Sequence, residues 1–367
     1  MTKDSDYNNR PLTIKDIAHL AGVSTSTVSL VLNNKPGVAE KTKAKVLRIA
    51  HEMGFSPNMV ARSLVQRRSR TIGMIIPNVS NSLFPEMALE VDKVVRNHGY
   101  FLSLISTYDD PYLEAMELEN IKARGLDGII TSSALLGTNN ISLLVNRGYP
   151  VVCVLRRVYD CPQLDYVIAD AVKGGYLATE HLIRLGHKKI AVLRGPDNIS
   201  ASRERFEGAL LAAHNYNVSL AGELMTEGPF LQERGYVDAR RLLEGNADRR
   251  PTAIFATNDD LALGALDAII DAGLQVGRDV ALVGFNNIRS TALRCVSITT
   301  ICQHSDEMGR LAALHLLKRL ENRDRDFKPY HKVLEPELIV RNSCGHQDGG
   351  YVLDQLPSPL FTVRSMM

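Results

Sequence analysis

From Thr71 onward the chain repeats one pattern: an apolar run, an amphipathic stretch, a glycine, then another apolar run. The runs Ile72 to Ile76, Val151 to Leu155, Ile190 to Leu193, Ala253 to Ala256 and Val280 to Gly284 are continuously hydrophobic. Continuous rather than alternating hydrophobicity belongs to parallel sheets covered on both faces. Gly99, Gly125, Gly148, Gly186 and Gly273 each stand where an intervening helix would end. The pattern predicts an α/β domain over 71–343, and roughly 270 residues is long for a single sheet. Two doubly wound parallel-sheet lobes with a cleft between them are expected.

The pattern upstream is helical. Thr13 can cap a helix from Ile14, with Asp16 in its first turn and Ile17, Ala18 and Ala21 on one side. Gly22 breaks it, and Ser24 can cap a second helix, Thr25 to Leu32, whose Val28, Val31 and Leu32 would pack on the first. A third amphipathic segment, roughly Glu40 to Met53 with Gly54 after it, completes a three-helix headpiece over 1–55. Helix, short turn, helix is the geometry that lays a second helix in the major groove of DNA, where the exposed Thr25, Ser26 and Ser29 would reach base edges. Lys41, Lys43, Lys45 and Arg48 would meet phosphates.

Charge strengthens this division. The net charge is only +2, but residues 1–70 carry 12 Lys and Arg against 5 Asp and Glu, leaving 31 against 36 for the remainder. A basic module on a mildly acidic body fits nucleic-acid contact by one part only. The polar start MTKDSDYNNRPL and the lack of a long apolar stretch point to a cytoplasmic protein at the nucleoid, with no membrane partner. Five cysteines with no C-x-x-C pair read as free thiols. No cofactor, metal or catalytic site is expected: G-x-G-x-x-G, the P-loop and G-x-S-x-G are missing, and His181 and His187 lack metal-ligand spacing.

The run from Thr13 to Asn33, TIKDIAHLAGVSTSTVSLVLN, followed by Ser56 to Leu64, SPNMVARSL, resembles the headpiece and hinge of the LacI/GalR (lactose and galactose repressor) family. The likeness continues through Asn81–Phe84, Asp127–Ile130, Gly174-Gly175, His181–His187, Asn258-Asp259, Gly284-Phe285 and Thr299-Thr300, to about Arg341. It implies an effector domain like the periplasmic sugar-binding proteins, and a homodimeric repressor on a palindromic operator controlled by a small, carbohydrate-derived effector. It also implies a hinge over 56–70, where Leu64 wedges into the minor groove among Arg62, Arg67, Arg68 and Arg70. The DNA-contact candidates are Thr13, Thr25, Ser26, Thr27, Ser29, Leu30, Asn33, Asn58, Ala61, Arg62 and Leu64.

Ligands of open α/β sheets sit beyond the carboxyl ends of the strands. Among residues at those ends, and by the resemblance, Phe84, Ser132, Arg205, Asn258 and Asn286 are the effector-binding candidates. Without the family match Arg205 would read as a surface residue beside Arg203 and Glu204.

Three departures stand out. Leu30 replaces a family arginine and cannot make its bidentate pair to guanine, which predicts a different base pair in the operator. Asn286 and Leu155 stand where aspartates are usual, and Arg156 and Arg157 follow Leu155. Losing two carboxylates favours a phosphorylated or carboxylated ligand over a neutral sugar, unless both arginines face solvent. An activator or dual regulator sensing such a metabolite is the alternative. The segment 344–367 is expected to be a flexible tail.

Overall fold

The computed structural model describes residues 12–32, 35–55, 68–121, 123–244, 249–321 and 328–345. They fall into two compact units that divide between Ser69 and Arg70.

The first unit is helical: α1 Ile14–Ala21, α2 Thr25–Leu32 and α3 Glu40–Glu52. Local chemistry sets the ends. The Asp16 carboxylate accepts from the Thr13 backbone N–H at 2.8 Å and from its hydroxyl at 2.7 Å, closing the first turn of α1. Gly22 ends that helix in the left-handed region at φ 67°, and Ser24 Oγ accepts from the Thr27 N–H at 3.0 Å to begin α2. Ile17, Ala18, Ala21, Val28, Val31 and Val46 form the core. Fully burying each larger aliphatic side chain contributes about 1.5–3 kcal/mol, which a unit this small needs.

The second unit holds two six-stranded sheets. In the first lobe β1 Thr71–Ile76, β2 Phe101–Ser106, β3 Gly128–Thr131, β4 Val151–Val154, β5 Asp165–Ala169 and β11 His331–Leu334 are ordered 11-5-4-3-1-2. The second lobe holds β6 Ile190–Arg194, β7 Met225–Glu227, β8 Ala253–Ala256, β9 Ala281–Asn286, β10 Thr299–Cys302 and β12 Glu337–Ile339, ordered 12-10-9-8-6-7. Every pairing is parallel except the edge pair β10–β12, which the continuous apolar pattern did not indicate.

Helices α4 Leu83–Asn97, α5 Pro111–Asn120 and α6 Asn140–Asn146 belong to the first lobe, with α11 Ser305–Glu321; α7 Ala171–Arg184, α8 Ser200–Asn215, α9 Gln232–Leu243 and α10 Asp259–Asp271 belong to the second. Helix α11 follows a second-lobe strand but buries Met308, Leu316, Leu317 and Leu320 with Met87 and Val91 of the first. The chain therefore crosses between lobes near Asp170, near Gln303 and near Glu335. In each lobe the sheet order reverses at its first strand, so β1 and β6 both open at their carboxyl ends onto the crevice between lobes.

Within the second lobe, α7 and α8 meet at glycines. A Cβ at Gly175 would collide with the carbonyl oxygen of Arg205, and one at Gly208 with that of Val172. Only glycine permits this approach, and it carries Arg205 inward.

One boundary shifts. Cys344, assigned above to the tail, closes a short 3-10 turn, Asn342–Cys344, and packs buried beside Phe285 and Ile301. Ser343 anchors it, donating to Leu282 O and accepting from the Thr299 N–H. Residues 346–367 lie outside the described residues.

Candidate functional site

On the headpiece, Thr25 and Ser26 are exposed at the start of α2, and with Ser29, Leu30, Ile14 and Lys35 they line one shallow, open hollow. Short hydroxyl side chains at a helix N-terminus with a lysine at the rim are suited to base edges and phosphates. Thr13 and Thr27 are partly engaged in capping, Thr27 Oγ1 lying 2.9 Å from Ser24 Oγ. On α3, Lys43 and Arg48 make only long ion pairs, with Glu40 at 3.9 Å and Glu52 at 4.0 Å, which hold them weakly. Asn33, Asn58, Ala61, Arg62 and Leu64 lie outside the described residues.

The second unit contains a cavity of about 270 Å³ between the carboxyl ends of β1 and β4 in one lobe and β6, β8 and β9 in the other. Phe84, Arg205, Asn258 and Asn286, expected from sequence, all line it. Ser132 does not: it is fully buried at the end of β3, its N–H bonded to Ile75 O at 2.9 Å. Its hydroxyl, like its N–H, is turned to Ile75 O.

Arg205 is the best-defined group in the cavity. Its side chain is 5% exposed, Nη1 donates to Thr257 O at 2.6 Å, and its guanidinium lies 3.9 Å from the centre of the Phe285 ring. Stacking and one backbone bond fix the fork, while Nε has no hydrogen-bond partner. Burial pulls the guanidinium pKa down to about 9, so it remains charged at neutral pH. A fixed, dry cation with an unused donor calls for an acceptor, and an anionic one gains most.

Sequence alone leaves the second cation open between the cavity and solvent. Arg156 is buried, not solvent-facing; it lines the cavity and donates from Nη1 to Asp109 at 2.6 Å. The lining thus holds two guanidiniums against one carboxylate. Behind the pair, Glu114 is fully buried with no hydrogen bond to either oxygen, and the Asn140 amide lies beside it without bonding geometry. Burial pushes its pKa up to about 7, opposed by the charge of Arg156 and by Asn140, and reinforced by Asp109.

The two residues that replace aspartates share a backbone feature. Leu155 (φ 65°) and Asn286 (φ 123°) both line the cavity with positive φ. Such conformations cost of order 1–3 kcal/mol for residues other than glycine and collect at ligand sites. Asn286 Oδ1 accepts from Gln303 Nε2 at 2.7 Å, and Asn258 Oδ1 caps α10 by accepting from the Leu261 N–H at 2.8 Å. Asp259 lies deeper, accepting from Thr300 Oγ1 and the Ile288 N–H. Burial raises its pKa to about 6.

Sequence reasoning missed Asp109, Tyr108 and Phe230, and left Arg156 open between the cavity and solvent. Arg156 follows the apolar run of β4, and only its burial decides that it faces the cavity. Phe230 follows a three-residue strand with no apolar run, and no local signal marks it.

Among the described residues no helix is long and apolar enough to cross a membrane, and no cluster of three His, Cys, Asp or Glu side chains could hold a metal.

Comparison with known proteins locates these features. Residues 13–58 match the model for bacterial regulatory proteins of the lacI family. Residues 69–331 match that for periplasmic binding proteins and the sugar-binding domain of the LacI family. The chain is 35% identical over 331 residues to an HTH-type transcriptional repressor PurR of Actinobacillus pleuropneumoniae serotype 3, covering 90% of this chain and 98% of that one. A PurR repressor of Haemophilus influenzae is 34% identical over 332 residues with the same coverage. Among solved structures, the lac repressor dimer bound to operator and the anti-inducer ONPF matches with TM-score 0.79 and 26% identity, over 91% of this chain and 99% of that one. The transcriptional regulator CelR in complex with cellobiose matches with TM-score 0.67 and 28% identity, over 91% and 100%.

Proposed function

Because the chain belongs to the LacI family of bacterial regulatory proteins and is a DNA-binding transcriptional repressor, we propose that it grips a palindromic operator as a homodimer and responds to an anionic metabolite. The α2 hollow reads base edges, with Thr25, Ser26, Ser29 and Leu30 as readers. The interlobe cavity takes a phosphorylated or carboxylated compound, a sugar derivative in the first instance. The observation that carries the ligand class is Arg205: buried, fixed on Phe285 and Thr257, and left with an unpartnered Nε. Arg156 adds a second cation while Leu155 and Asn286 withhold two carboxylates, so the cavity favours negative charge.

The dimer is supported by the lac repressor neighbour, solved as a dimer on operator. Ligand and operator are then linked: a compound that binds one lobe arrangement more tightly shifts operator affinity by the same free energy, typically about 1–3 kcal/mol. A planar nitrogen heterocycle such as a purine is a second reading, favoured by Phe84 and Phe230 both lining the cavity. Isothermal titration of the full chain against neutral sugars, sugar phosphates, sugar acids and purines tests the assignment. Tight binding of a neutral sugar with none of its phosphate or acid overturns it. Footprinting of operator DNA with and without the bound compound gives the sign of regulation.

A further inference from the structure

Two segments meet across the crevice, and their side chains alternate in role. Arg156 and Arg205 point into the cavity, whereas Arg157 and Glu204, their immediate neighbours in the chain, meet each other outside its lining. Residues 155–160 follow β4 of the first lobe, and Glu204 rides on α8 of the second. Glu204 Oε1 accepts from the Tyr159 hydroxyl at 2.9 Å and lies 3.4 Å from Arg157 Nε. Close by, the Arg157 N–H donates to Ser200 Oγ at 2.7 Å, again from one lobe to the other. Farther along the crevice the Leu136 N–H donates to Asn198 O at 2.8 Å, where Leu135 packs with Ile199, Ala201 and Phe230.

We infer that Glu204 is a latch that holds the lobes together beside the cavity, so that closure depends on a contact the effector does not touch. Its carboxylate is 13% exposed and engages two groups of the opposite lobe, close enough to the cavity to move with it. A ligand bridging Arg156 and Arg205 would join the same two segments that Arg157 and Glu204 already tie. The latch therefore sets the fraction of molecules already competent to bind, and apparent affinity scales with that fraction. Selectivity among ligands stays with the cavity lining.

The test uses the full chain in two versions, Glu204→Gln and the milder Tyr159→Phe, which removes one oxygen. Hydrogen exchange without ligand is followed at the Leu136 amide, which crosses the lobes but touches neither changed residue. The expected result is several-fold faster exchange at Leu136 in the variants. Every ligand that binds the parent protein should also bind Glu204→Gln more weakly by one common factor of about five to ten. Unchanged exchange at Leu136 overturns the latch, as does acceleration confined to residues 155–160 and 200–205, which marks local loosening. A factor that differs between ligands overturns it too. The affinity arm rests on the cavity being a ligand site; the exchange arm uses no ligand and decides the latch whether or not the effector is anionic.

Discussion

Asp165 gives the sharpest test of what holds the first lobe together. It opens β5, and its 4%-exposed carboxylate collects four donors: Arg319 Nε at 2.6 Å, Arg319 Nη2 at 2.7 Å, His315 Nε2 at 3.0 Å and the Tyr330 N–H at 2.7 Å. Those donors come from α11 and from the segment entering β11, so one side chain binds the returning helix and the last strand to the sheet. Asp165→Asn keeps the volume but turns an NH2 toward two of the donors and leaves the Arg319 charge, 19% exposed, without its counter-ion. Breaking a buried pair from one side costs about 3–5 kcal/mol, so the melting temperature should fall by on the order of 10 °C. Burial raises the Asp165 pKa, but hydrogen bonds from His315, Arg319 and Tyr330 outweigh it and hold the carboxyl below its ordinary value. With the folded pKa depressed, the stabilisation is present above the unfolded value near ~3.9 and is lost as pH falls through the folded pKa. Thermal or urea unfolding from pH 7 down to pH 3 should therefore show the two proteins converging only in acid. A loss below about 1 kcal/mol at pH 7, or one independent of pH, refutes the reasoning.

Four other perturbations have definite outcomes. Arg205→Lys should keep the fold but weaken an anionic effector at least about tenfold by titration calorimetry, since an ammonium cannot stack on Phe285 while also presenting a planar fork. Affinity for a carboxylated ligand should fall as pH rises through about 7, where Glu114 becomes charged behind Arg156, and Glu114→Gln should flatten that part of the profile. The same raised pKa makes Glu114 favour the folded state in acid and lose that contribution as pH rises through about 7. Gly175→Ala, which sets a methyl against the Arg205 carbonyl, should cost at least about 1–3 kcal/mol in denaturant titration and lower effector affinity as well by shifting Arg205. Leu30→Arg should change the base pair enriched from a randomised operator library, with about 1–3 kcal/mol of discrimination gained for guanine; enrichment of that guanine by the unchanged protein contradicts the Leu30 assignment.

Much of this molecule was legible residue by residue because it rests on local chemistry. Thr13 with Asp16, Gly22 and Ser24 define α1 and α2 through bonds spanning four residues or fewer. The central strands β1, β4, β6, β8 and β9 are marked by apolar runs, and the helix-ending glycines at 99, 125, 148, 186 and 273 all adopt positive φ. Phe84, Asn258 and Asn286 could be named because they sit at strand or helix ends, whereas Arg205, inside α8, could be named only through the family resemblance. What sequence left open depends on groups distant in the chain. That α11 returns to the first lobe, that β12 runs antiparallel, and that the chain crosses the lobes near 170, 303 and 335 follow from which apolar faces find each other, not from the period of any one segment. Arg156 beside Asp109, Phe230 in the cavity wall and Ser132 behind it are likewise set by packing. Periodicity determines which face of an element is buried; only the assembled sheets determine what each buried face and strand end meets, and therefore which charges share the cavity.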